Sequence, residues 1–420
     1  MGEGRTRTCV CRMLLSYLAY AFLALSFGFT LLVARLGRAI PRRQGRHTGR
    51  ILVTGTFYNT NWYVSHLMPL SRSGAQEVIL VGDESQVPVD GVRFACPPWW
   101  FSRVMTRAAA KLIWMIVVGL RCKPDLYMGY HLFPGACSAL IAARLLGRPA
   151  CYQMTGGPVE VIGGGSGSEN ALTTRLAKPS ALLERMATAV IRRFDLVVVR
   201  GQKARDFLAE RGIPGTIAII TGSVCQPQTV AQKRSYDLVF VGRMTELKQP
   251  RQFVEIVAAV RREVPSIRAA MIGDGSLLDV VRQRAAELQV ADCLDLLGKR
   301  SNVQTVLSES KVFVLTSRSE GMSIAMAEAM AAGAVPVVAD VGELGDLVEN
   351  GVNGYLIEPD NIAQYAARIV SLLQDPALWT RLSQAAAAAA TRRCSVEAVA
   401  ALWRRHLDET IKRAPGATFG

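Results

Sequence analysis

Short apolar runs alternate with longer amphipathic stretches along most of this chain, and the whole alternation occurs twice. The first series of strand-like runs covers residues 51–54, 77–81, 126–128, 150–154, 196–199 and 217–221. The second series covers residues 238–242, 267–272, 294–297, 312–316 and 337–339. Strands that alternate with helical stretches are typical of parallel sheets covered by helices on both faces. We therefore predict an α/β protein with two doubly wound domains.

The two series are separated by a polar segment at 226–235, which contains Pro227 and has no apolar periodicity. A chain of 420 residues is long enough to bury two large cores. The predicted organisation is a membrane anchor with basic flanks (1–50), a first Rossmann-like domain (51–225), a linker (226–235), a second Rossmann-like domain (236–394), and a C-terminal helix with a tail (395–420).

Residues 13–34 form a run of 22 residues without a charge. As a helix, this run would be about 33 Å long, enough to cross a bilayer core of about 30 Å. We predict a single-pass anchor. A cleaved signal peptide and a helix that lies shallowly in the interface are the open alternatives.

Arginines flank this apolar run unequally. Three precede it (Arg5, Arg7 and Arg12), and six follow it (Arg35, Arg38, Arg42, Arg43, Arg46 and Arg50). Because basic residues are enriched on the cytoplasmic side of a span, we predict an anchor in the inner membrane and both α/β domains on its cytoplasmic side.

The formal net charge of the chain is +15, and +8 of it belongs to residues 1–50. A basic balance beside an apolar helix favours an anionic membrane surface and phosphate-bearing substrates over nucleic acid. The nine cysteines are scattered and include no C-x-x-C pair, which excludes a disulfide framework and a zinc site of that type.

Two carboxylates, Glu320 and Glu328, follow the strand-like run 312–316 closely. If Ser323 opens a helix, backbone amides and a positive dipole end lie at the edge of the sheet, where anionic ligands bind. The two acids are then roughly 8–12 Å apart, which suits one acid on each side of a diphosphate. A solvated helix-start acid with a chance partner is the alternative.

The surrounding residues match a known pattern. Glu320-Gly321, Glu328-Ala329, Ala331, Gly333 and Pro336-Val337-Val338 resemble the C-terminal signature of retaining GT-B glycosyltransferases, in particular glycosyltransferase family 4 (glycosyl transferases group 1). In one departure, two residues separate Gly333 from Pro336 where the family usually has one. The resemblance implies a GT-B architecture, with two Rossmann-like domains facing a cleft and the final helix packing back on the first domain.

The start of the second domain extends the resemblance. Gly242-Arg243 ends a strand-like run and Lys248 follows five residues later, which resembles the family's Gly-Arg-x-x-x-x-Lys element. An Arg fork and a Lys point charge are suited to a diphosphate, although two solvated cations are the alternative. Gly273 and Gly275 resemble the family's Gly-Asp-Gly element near the nucleotide, with an ordinary turn as the alternative.

The resemblance implies the following roles. Arg243 and Lys248 would stabilise the leaving diphosphate and Glu320 would face the transferred sugar, which makes these three the predicted catalytic residues. Glu328 would bind the ribose hydroxyls. Donor contacts are further expected from Gly242, Gly273, Gly275, Gly321, Met322 and Ser323.

The first domain carries weaker signals for the acceptor side. Gly55 follows a strand like the family's first loop, and Thr155 stands where many members have a His. His131 lies near the family's His-containing strand end, with a structural, hydrogen-bonded His as the alternative. A Gly/Ser loop at 163–170 and the aromatic segment 97–101 are further candidates, against a plain linker and core aromatics respectively.

The chain contains no Asp-x-Asp metal signature and no P-loop, so we expect neither a metal nor a cofactor. The resemblance implies a retaining hexosyltransferase that moves a sugar from a nucleotide-sugar to a lipid-linked or membrane-associated glycan. Its expected partners are the donor, the lipid-linked acceptor and the membrane, without nucleic acid. Another GT-B nucleotide-sugar enzyme, such as an epimerase, and a catalytically silent membrane scaffold remain alternatives.

Overall fold

The computed structural model describes residues 3–41, 49–57, 60–83, 88–168, 170–225 and 234–412. The chain divides into two compact units. The N-terminal unit comprises Met1–Ile220 and Val399–Gly420, and the C-terminal unit comprises Thr221–Ala398. The predicted linker lies mostly outside the described residues, as do Arg42, Arg43 and Arg46 of the basic flank.

The N-terminal unit is built on a seven-stranded parallel sheet with the order β3-β2-β1-β4-β5-β6-β7. Its strands are β1 (Arg50–Thr54), β2 (Glu77–Val81), β3 (Val92–Phe94), β4 (Leu126–Tyr130), β5 (Ala150–Gln153), β6 (Leu196–Val199) and β7 (Thr216–Ile219). The central strands are buried along their length because helices cover both faces. The strand order reverses between β1 and β4, and α/β sheets bind ligands at such a reversal.

The helices of this unit are α1 (Glu3–Leu36), α2 (Thr60–Ser71), α3 (Trp99–Val104), α4 (Arg107–Cys122), α5 (Cys137–Leu145), α6 (Ala181–Ile191) and α7 (Gln202–Glu210). Two begin with side-chain caps: Thr106 accepts from the amide of Ala109 at α4, and Ser180 accepts from that of Leu183 at α6. A short turn at Leu132–Ala136 precedes α5.

The C-terminal unit is built on a six-stranded parallel sheet with the order β10-β9-β8-β11-β12-β13. Its strands are β8 (Tyr236–Val241), β9 (Ala269–Ile272), β10 (Leu294–Gly298), β11 (Ser310–Leu315), β12 (Val335–Ala339) and β13 (Tyr355–Ile357). Its helices are α8 (Pro250–Glu263), α9 (Leu278–Glu287), α10 (Val303–Ser308), α11 (Ile324–Ala331), α12 (Ile362–Gln374) and α13 (Pro376–Cys394).

The last helix, α14 (Val396–Lys412), contributes to the core of the N-terminal unit. Val399, Trp403, Leu407 and Ile411 recur at helical spacing on one face and are buried in the cluster that contains Ile51 of β1. The end of the chain therefore supplies one layer of the first sheet's covering.

Helix α1 is packed along one side of the N-terminal unit. An apolar stretch that begins in this helix, Met13–Ala39, is long enough to cross a membrane, and about a third of its most apolar part is buried against the protein. Ala19, Leu23 and Phe27 belong to the same buried cluster as residues of α5 and α6. Larger apolar side chains on its other side are exposed, and their arrangement is taken up below.

Candidate functional site

The loop after β8 is fixed to the loop after β9 by backbone hydrogen bonds. The amide of Gly242 donates to the carbonyl of Ile272 (3.0 Å), and that of Met244 donates to Asp274 (2.9 Å). Gly273 has a φ of +142°, and a Cβ there would lie 1.9 Å from the Gly242 carbonyl oxygen. Gly275 also has a positive φ, so both glycines are required for the close approach of the two loops. Their contact with a nucleotide stays a prediction.

Lys248 and Glu320 form an ion pair with 2.5 Å between Nζ and Oε1. Their side chains are 17% and 7% exposed, so the pair is largely shielded from water. The hydroxyl of Ser317 donates to the same Glu320 oxygen at 2.6 Å. Glu320 is thus held by two neighbours, Lys248 and Ser317.

The loops that carry this pair are tied together by other bonds. The hydroxyl of Thr316, just after β11, donates to the carbonyls of Lys248 (3.1 Å) and Gln249 (3.0 Å). The amide of Arg318 donates to the carbonyl of Leu247 (2.9 Å). The ends of β8 and β11 therefore present Lys248 and Glu320 on one connected surface. Arg243 lies in the same loop as Lys248 and is exposed.

Ser323 is the N-cap of α11, and its hydroxyl accepts from the amide of Met326 at 3.2 Å. Gly321 and Met322 directly precede it, at the end of the helix where backbone amides lack intrahelical partners. Such a helix start favours anions. The sequence correctly placed the beginning of this helix.

Glu328 lies in α11 one turn after Ile324 and is 7% exposed. Burial raises the pKa of its carboxyl to about 7, and a hydrogen bond with Gln304 acts in the opposite direction. The proton of this buried acid is therefore lost near neutral pH rather than in the ordinary acidic range.

The N-terminal unit holds a second buried acid, Glu160, at the carboxyl ends of β4 and β5. One carboxylate oxygen accepts from the Leu132 amide (3.0 Å) and the Tyr152 hydroxyl (2.8 Å). The other accepts from the amides of Thr155 (3.0 Å) and Gly156 (2.5 Å). Burial opposes ionisation, but bonds from His131, Gly156 and Tyr152 outweigh it and lower the pKa of Glu160.

His131 and Thr155 lie together beside this carboxylate. His131 Nδ1 is 3.4 Å from a Glu160 oxygen and 2.8 Å from the Thr155 hydroxyl. Its backbone has a φ of +57°, and the Trp62 ring stacks on its imidazole with 5.9 Å between ring centroids. The structure therefore supports the hydrogen-bonded, structural alternative for His131 and leaves its contact with an acceptor a prediction.

Gly55 is buried after β1, and its carbonyl accepts from Lys111 Nζ at 3.3 Å. The same ammonium lies 2.7 Å from an Asp83 carboxylate oxygen. Lys111 thus links the loop after β1 to the loop after β2.

The buried cation Arg200 lies beside Trp62, whose ring stacks on His131. Arg200 directly follows β6 and donates from Nη2 to His66 Nε2 at 2.6 Å. Burial, and then the charges of Arg200 and His131, lower the pKa of His66 well below its usual value, so His66 is neutral at neutral pH. The guanidinium also lies over the Trp62 ring, 5.8 Å from its centroid.

Two segments that the sequence left open are now placed. The amide of Gly163 donates to Glu184 of α6 (2.8 Å), so the first half of the Gly/Ser loop is packed on the unit. Its Glu169 lies outside the described residues. Trp99 and Trp100 are 73% and 56% exposed, so the interpretation of these two as core aromatics is wrong.

Residues 226–389 match the family model described as glycosyl transferases group 1. This segment belongs to that family. The chain is 29% identical over 164 residues to an Escherichia coli UDP-Gal:alpha-D-GlcNAc-diphosphoundecaprenol alpha-1,3-galactosyltransferase, covering 38% of this chain and 42% of that protein. It is 27% identical over 149 residues to a Bacillus anthracis N-acetyl-alpha-D-glucosaminyl L-malate synthase, covering 36% and 39%. The chain thus matches less than half the length of these relatives.

Solved structures resemble a larger part of the chain. Anabaena HepE in complex with UDP-glucose superposes with a TM-score of 0.66 at 17% identity, covering 86% of this chain and 100% of that one. Staphylococcus aureus TarM superposes with a TM-score of 0.60 at 17% identity, covering 72% and 58%. The α/β, GT-B fold class predicted from the sequence is confirmed.

Within the group 1 glycosyl transferase segment, the structure brings Lys248 into contact with Glu320 and sets Ser323 at the start of the helix that carries Glu328. Sequence reasoning missed Glu160, Arg200 and the contact of Arg200 with His66. Arg200 had a usable signal, because a charged residue directly after an apolar strand lies at the ligand-binding edge of a parallel sheet. Among the side chains of the described part of the chain, no group of three or more His, Cys, Asp or Glu is placed to hold a metal ion.

Proposed function

We propose that this protein is a glycosyltransferase that moves a sugar from a nucleotide-sugar to a lipid-linked or membrane-associated glycan. The single observation that carries the proposal is the shielded Lys248–Glu320 pair beside the capped start of α11, inside a group 1 glycosyl transferase segment. The name of the Escherichia coli relative, with its UDP-sugar donor and diphosphoundecaprenol-linked acceptor, supports the same substrate classes.

Lys248, Arg243 and the amides of Gly321, Met322 and Ser323 form the proposed binding surface for the donor diphosphate. A diphosphate is a stronger anion than one carboxylate, so it would compete with Glu320 for the Lys248 ammonium. Lys248 would then stabilise the charge that develops on the leaving group, together with Arg243 and the helix start. Gly242, Gly273 and Gly275 would shape the loops against the nucleotide.

Glu320 would accept hydrogen bonds from the transferred sugar once the diphosphate engages Lys248. Glu328 would accept from the ribose hydroxyls, for which its ionised form is the better acceptor. Because burial raises the pKa of Glu328 to about 7, donor binding would favour the form that exists above that pH.

The reaction would retain the anomeric configuration by departure and attack on the same face of the sugar. The bond from the anomeric carbon to the phosphate oxygen breaks, and a bond to the acceptor hydroxyl oxygen forms. The hydroxyl proton passes to the departing phosphate oxygen. Side-chain cations would meet the leaving-group charge, so the proposal includes no metal or cofactor.

The acceptor would reach the N-terminal unit at the carboxyl ends of β1, β4 and β5, near Gly55, His131 and Thr155. The apolar N-terminal helix and its flanking arginines support association with the cytoplasmic face of the inner membrane, where lipid-linked glycans are available. No nucleic acid is involved in this proposal.

The test is release of nucleoside diphosphate by the full-length protein, incubated with a panel of UDP- and GDP-sugars with and without membrane lipid extract. We expect release from one donor, stimulated by lipid, and its loss in Lys248→Ala and Glu328→Ala. Lys311→Ala is the matched control, because Lys311 forms a comparable ion pair with Asp237 outside the site.

Other outcomes would contradict the proposal in distinct ways. A folded protein that neither binds nor cleaves any donor would favour the scaffold alternative. Conversion of the donor into another nucleotide-sugar without transfer would favour the epimerase-like alternative.

A further inference from the structure

Over residues 13–36, whose side chains the structure describes, helix α1 has two apolar faces. One is buried against the protein, and the other is largely exposed, with Phe22 in edge contact with Phe133 (5.9 Å between ring centroids). Ala19, Leu23, Phe27, Thr30 and Ala34 are buried on one side. The other side exposes a row of large side chains at Leu14, Leu18, Phe22, Leu25, Phe29, Leu32 and Leu36. At 3.6 residues per turn, these seven positions fall within about 80° of arc, so they form one stripe along the helix. We call them the exposed stripe.

The covered face is joined to the N-terminal unit along most of the helix. In the first half of the helix, the hydroxyl of Ser16 accepts from the amide of Ala177 at 2.8 Å. In the middle, Phe27 makes an edge contact with Phe133, with 6.3 Å between ring centroids. Near the carboxyl end, Gly37 packs against Arg144. Contacts from residue 16 to residue 37 fix about 32 Å of helix against the unit.

The exposed stripe is flanked by cations at both ends. Arg35 and Arg38 are exposed at the carboxyl end and lie close to Arg193, whose pKa is lowered by burial and by these two charges. Arg175 and Lys178 are exposed beside Ala177, which contacts Ser16 at the amino end. No acidic residue interrupts α1 between Met13 and Leu36.

We propose that α1 binds the surface of an anionic bilayer, with its axis in the membrane plane and the exposed stripe buried among the lipids. A helix that crossed the bilayer would have to leave the unit or carry the polar residues beside it into hydrocarbon, which is costly. A helix lying in the interface keeps every protein contact and removes the stripe from water. The flanking cations then face anionic headgroups.

The proposal replaces the single-pass anchor with an in-plane one and does not depend on any enzymatic activity. A second copy of this chain is the other occupant that would cover an apolar stripe of this length. The experiments below measure membrane binding, the depth of the helix in the bilayer and the oligomeric state. None of them measures sugar transfer, so a negative result for this proposal can be distinguished from a negative result for the proposed glycosyltransferase activity.

The first experiment is flotation of the purified full-length protein with vesicles of phosphatidylcholine alone or with 30% phosphatidylglycerol. We expect stronger binding to the anionic vesicles. The variant Leu18→Ser/Leu25→Ser/Leu32→Ser should lose at least tenfold in vesicle partitioning. The control Val352→Ser, an exposed apolar residue of the C-terminal unit, should change it less than twofold. Arg35→Gln/Arg38→Gln should weaken binding only to the anionic vesicles.

The second experiment measures depth, using Leu14→Trp, Leu25→Trp and Leu36→Trp separately and quenching by lipids brominated at known acyl positions. The readout is the quenching of each variant beyond that of the wild type. An in-plane helix places all three introduced indoles at the same shallow depth. A spanning helix places the indole of Leu25→Trp near the bilayer centre and the other two near the two interfaces, and that result would overturn the proposal.

The oligomeric state gives the remaining outcome. If the protein fails to bind either kind of vesicle and forms a dimer that the triple Ser variant dissociates, the exposed stripe is an interface between two copies. Equal vesicle binding by the triple variant and the wild type would also overturn the membrane proposal, because the stripe would then contribute nothing.

Discussion

Lys248 Nζ lies 2.5 Å from Glu320 Oε1, although the two residues are 72 positions apart in the sequence. The family resemblance assigns the cation to a diphosphate and the acid to a sugar, and the structure pairs the two side chains with each other. Each therefore sets the electrostatic environment of the other. A change at either position should affect both the folded state and the proposed donor site.

Lys248→Ala should abolish most of the transferase activity. Without the ammonium, the leaving diphosphate loses a preorganised charge, a loss that typically reduces kcat by about 10²–10³-fold. Glu320 also remains as a shielded carboxylate without its cation, so the C-terminal unit should unfold at lower denaturant concentration. Steady-state kinetics and denaturant unfolding measure the two effects. Activity within threefold of the Lys311→Ala control would contradict the role of Lys248.

Glu320→Gln should separate sugar transfer from diphosphate binding. The amide oxygen can still accept from Ser317, but it no longer competes electrostatically for Lys248. Turnover should fall about 10²-fold, as expected for loss of a charged contact to the reacting sugar. Affinity for the nucleoside diphosphate product, measured by calorimetry, should stay equal or increase. A large loss of that affinity would show that Glu320 supports the diphosphate site rather than opposing it.

Relative to the wild type, Glu328→Gln should stabilise the C-terminal unit more at pH 8 than at pH 5. Burial raises the pKa of Glu328 from 4.5 to about 7. Between these two pH values, the folded state therefore holds a proton that the unfolded chain has already released. The stability that the wild type derives from this group is therefore lost as pH rises through this window. Gln does not titrate, so its advantage at pH 8 should exceed that at pH 5 by about 2–3 kcal/mol.

Hydrogen exchange of peptides from β11 and α11 would measure this difference at the two pH values. Asp279→Asn, an exposed acid on α9, is the control and should show no such change. Equal effects of Glu328→Gln at both pH values would contradict the raised pKa.

Glu160→Ala should loosen the carboxyl ends of β4 and β5. The carboxylate accepts from the amides of Leu132, Thr155 and Gly156, and removing it leaves these buried donors without that acceptor. Each bond to a charged acceptor contributes about 1.5–3 kcal/mol, so amide exchange at residues 131–136 and 155–161 should accelerate by at least tenfold. Because the pKa of Glu160 is lowered, its contribution is present at neutral pH and is lost as pH falls below the ordinary range of a glutamate.

Glu160→Gln should give an intermediate effect, since one oxygen remains as an acceptor. Glu184→Gln is the matched control: that acid also accepts a backbone amide, from Gly163, but it is more exposed and pairs with Arg211. Equal exchange at 131–136 in all three proteins would contradict the bracing role of Glu160.

The sheets and the start of α11 could be predicted from the sequence because they depend on local signals. Strands buried on both faces appear as continuous apolar runs, and Ser323 has the side chain that a helix cap requires. The edge strands β3 and β13 were not predicted, since each has only three residues. A strand that short gives too few residues for a recognisable pattern.

The hydrogen bonds that Glu160 accepts could not be predicted in this way. Its acceptor role depends on amides from two loops that come together only when β4 and β5 pair, and no spacing within either loop encodes that meeting. For the exposed stripe, the sequence showed the residue types but not which of them the protein covers. Its apolar residues were evident in the sequence, but which face of α1 the protein covers is set by the packing of Phe133 and Ala177.

The position of α14 has a consequence for how the molecule is made. Val399, Trp403, Leu407 and Ile411 complete the core around Ile51, yet they are translated after the entire C-terminal unit. During synthesis, the apolar face of the first sheet that α14 covers therefore stays exposed until the second unit has been translated. The unit that is translated first is consequently the one that matures last.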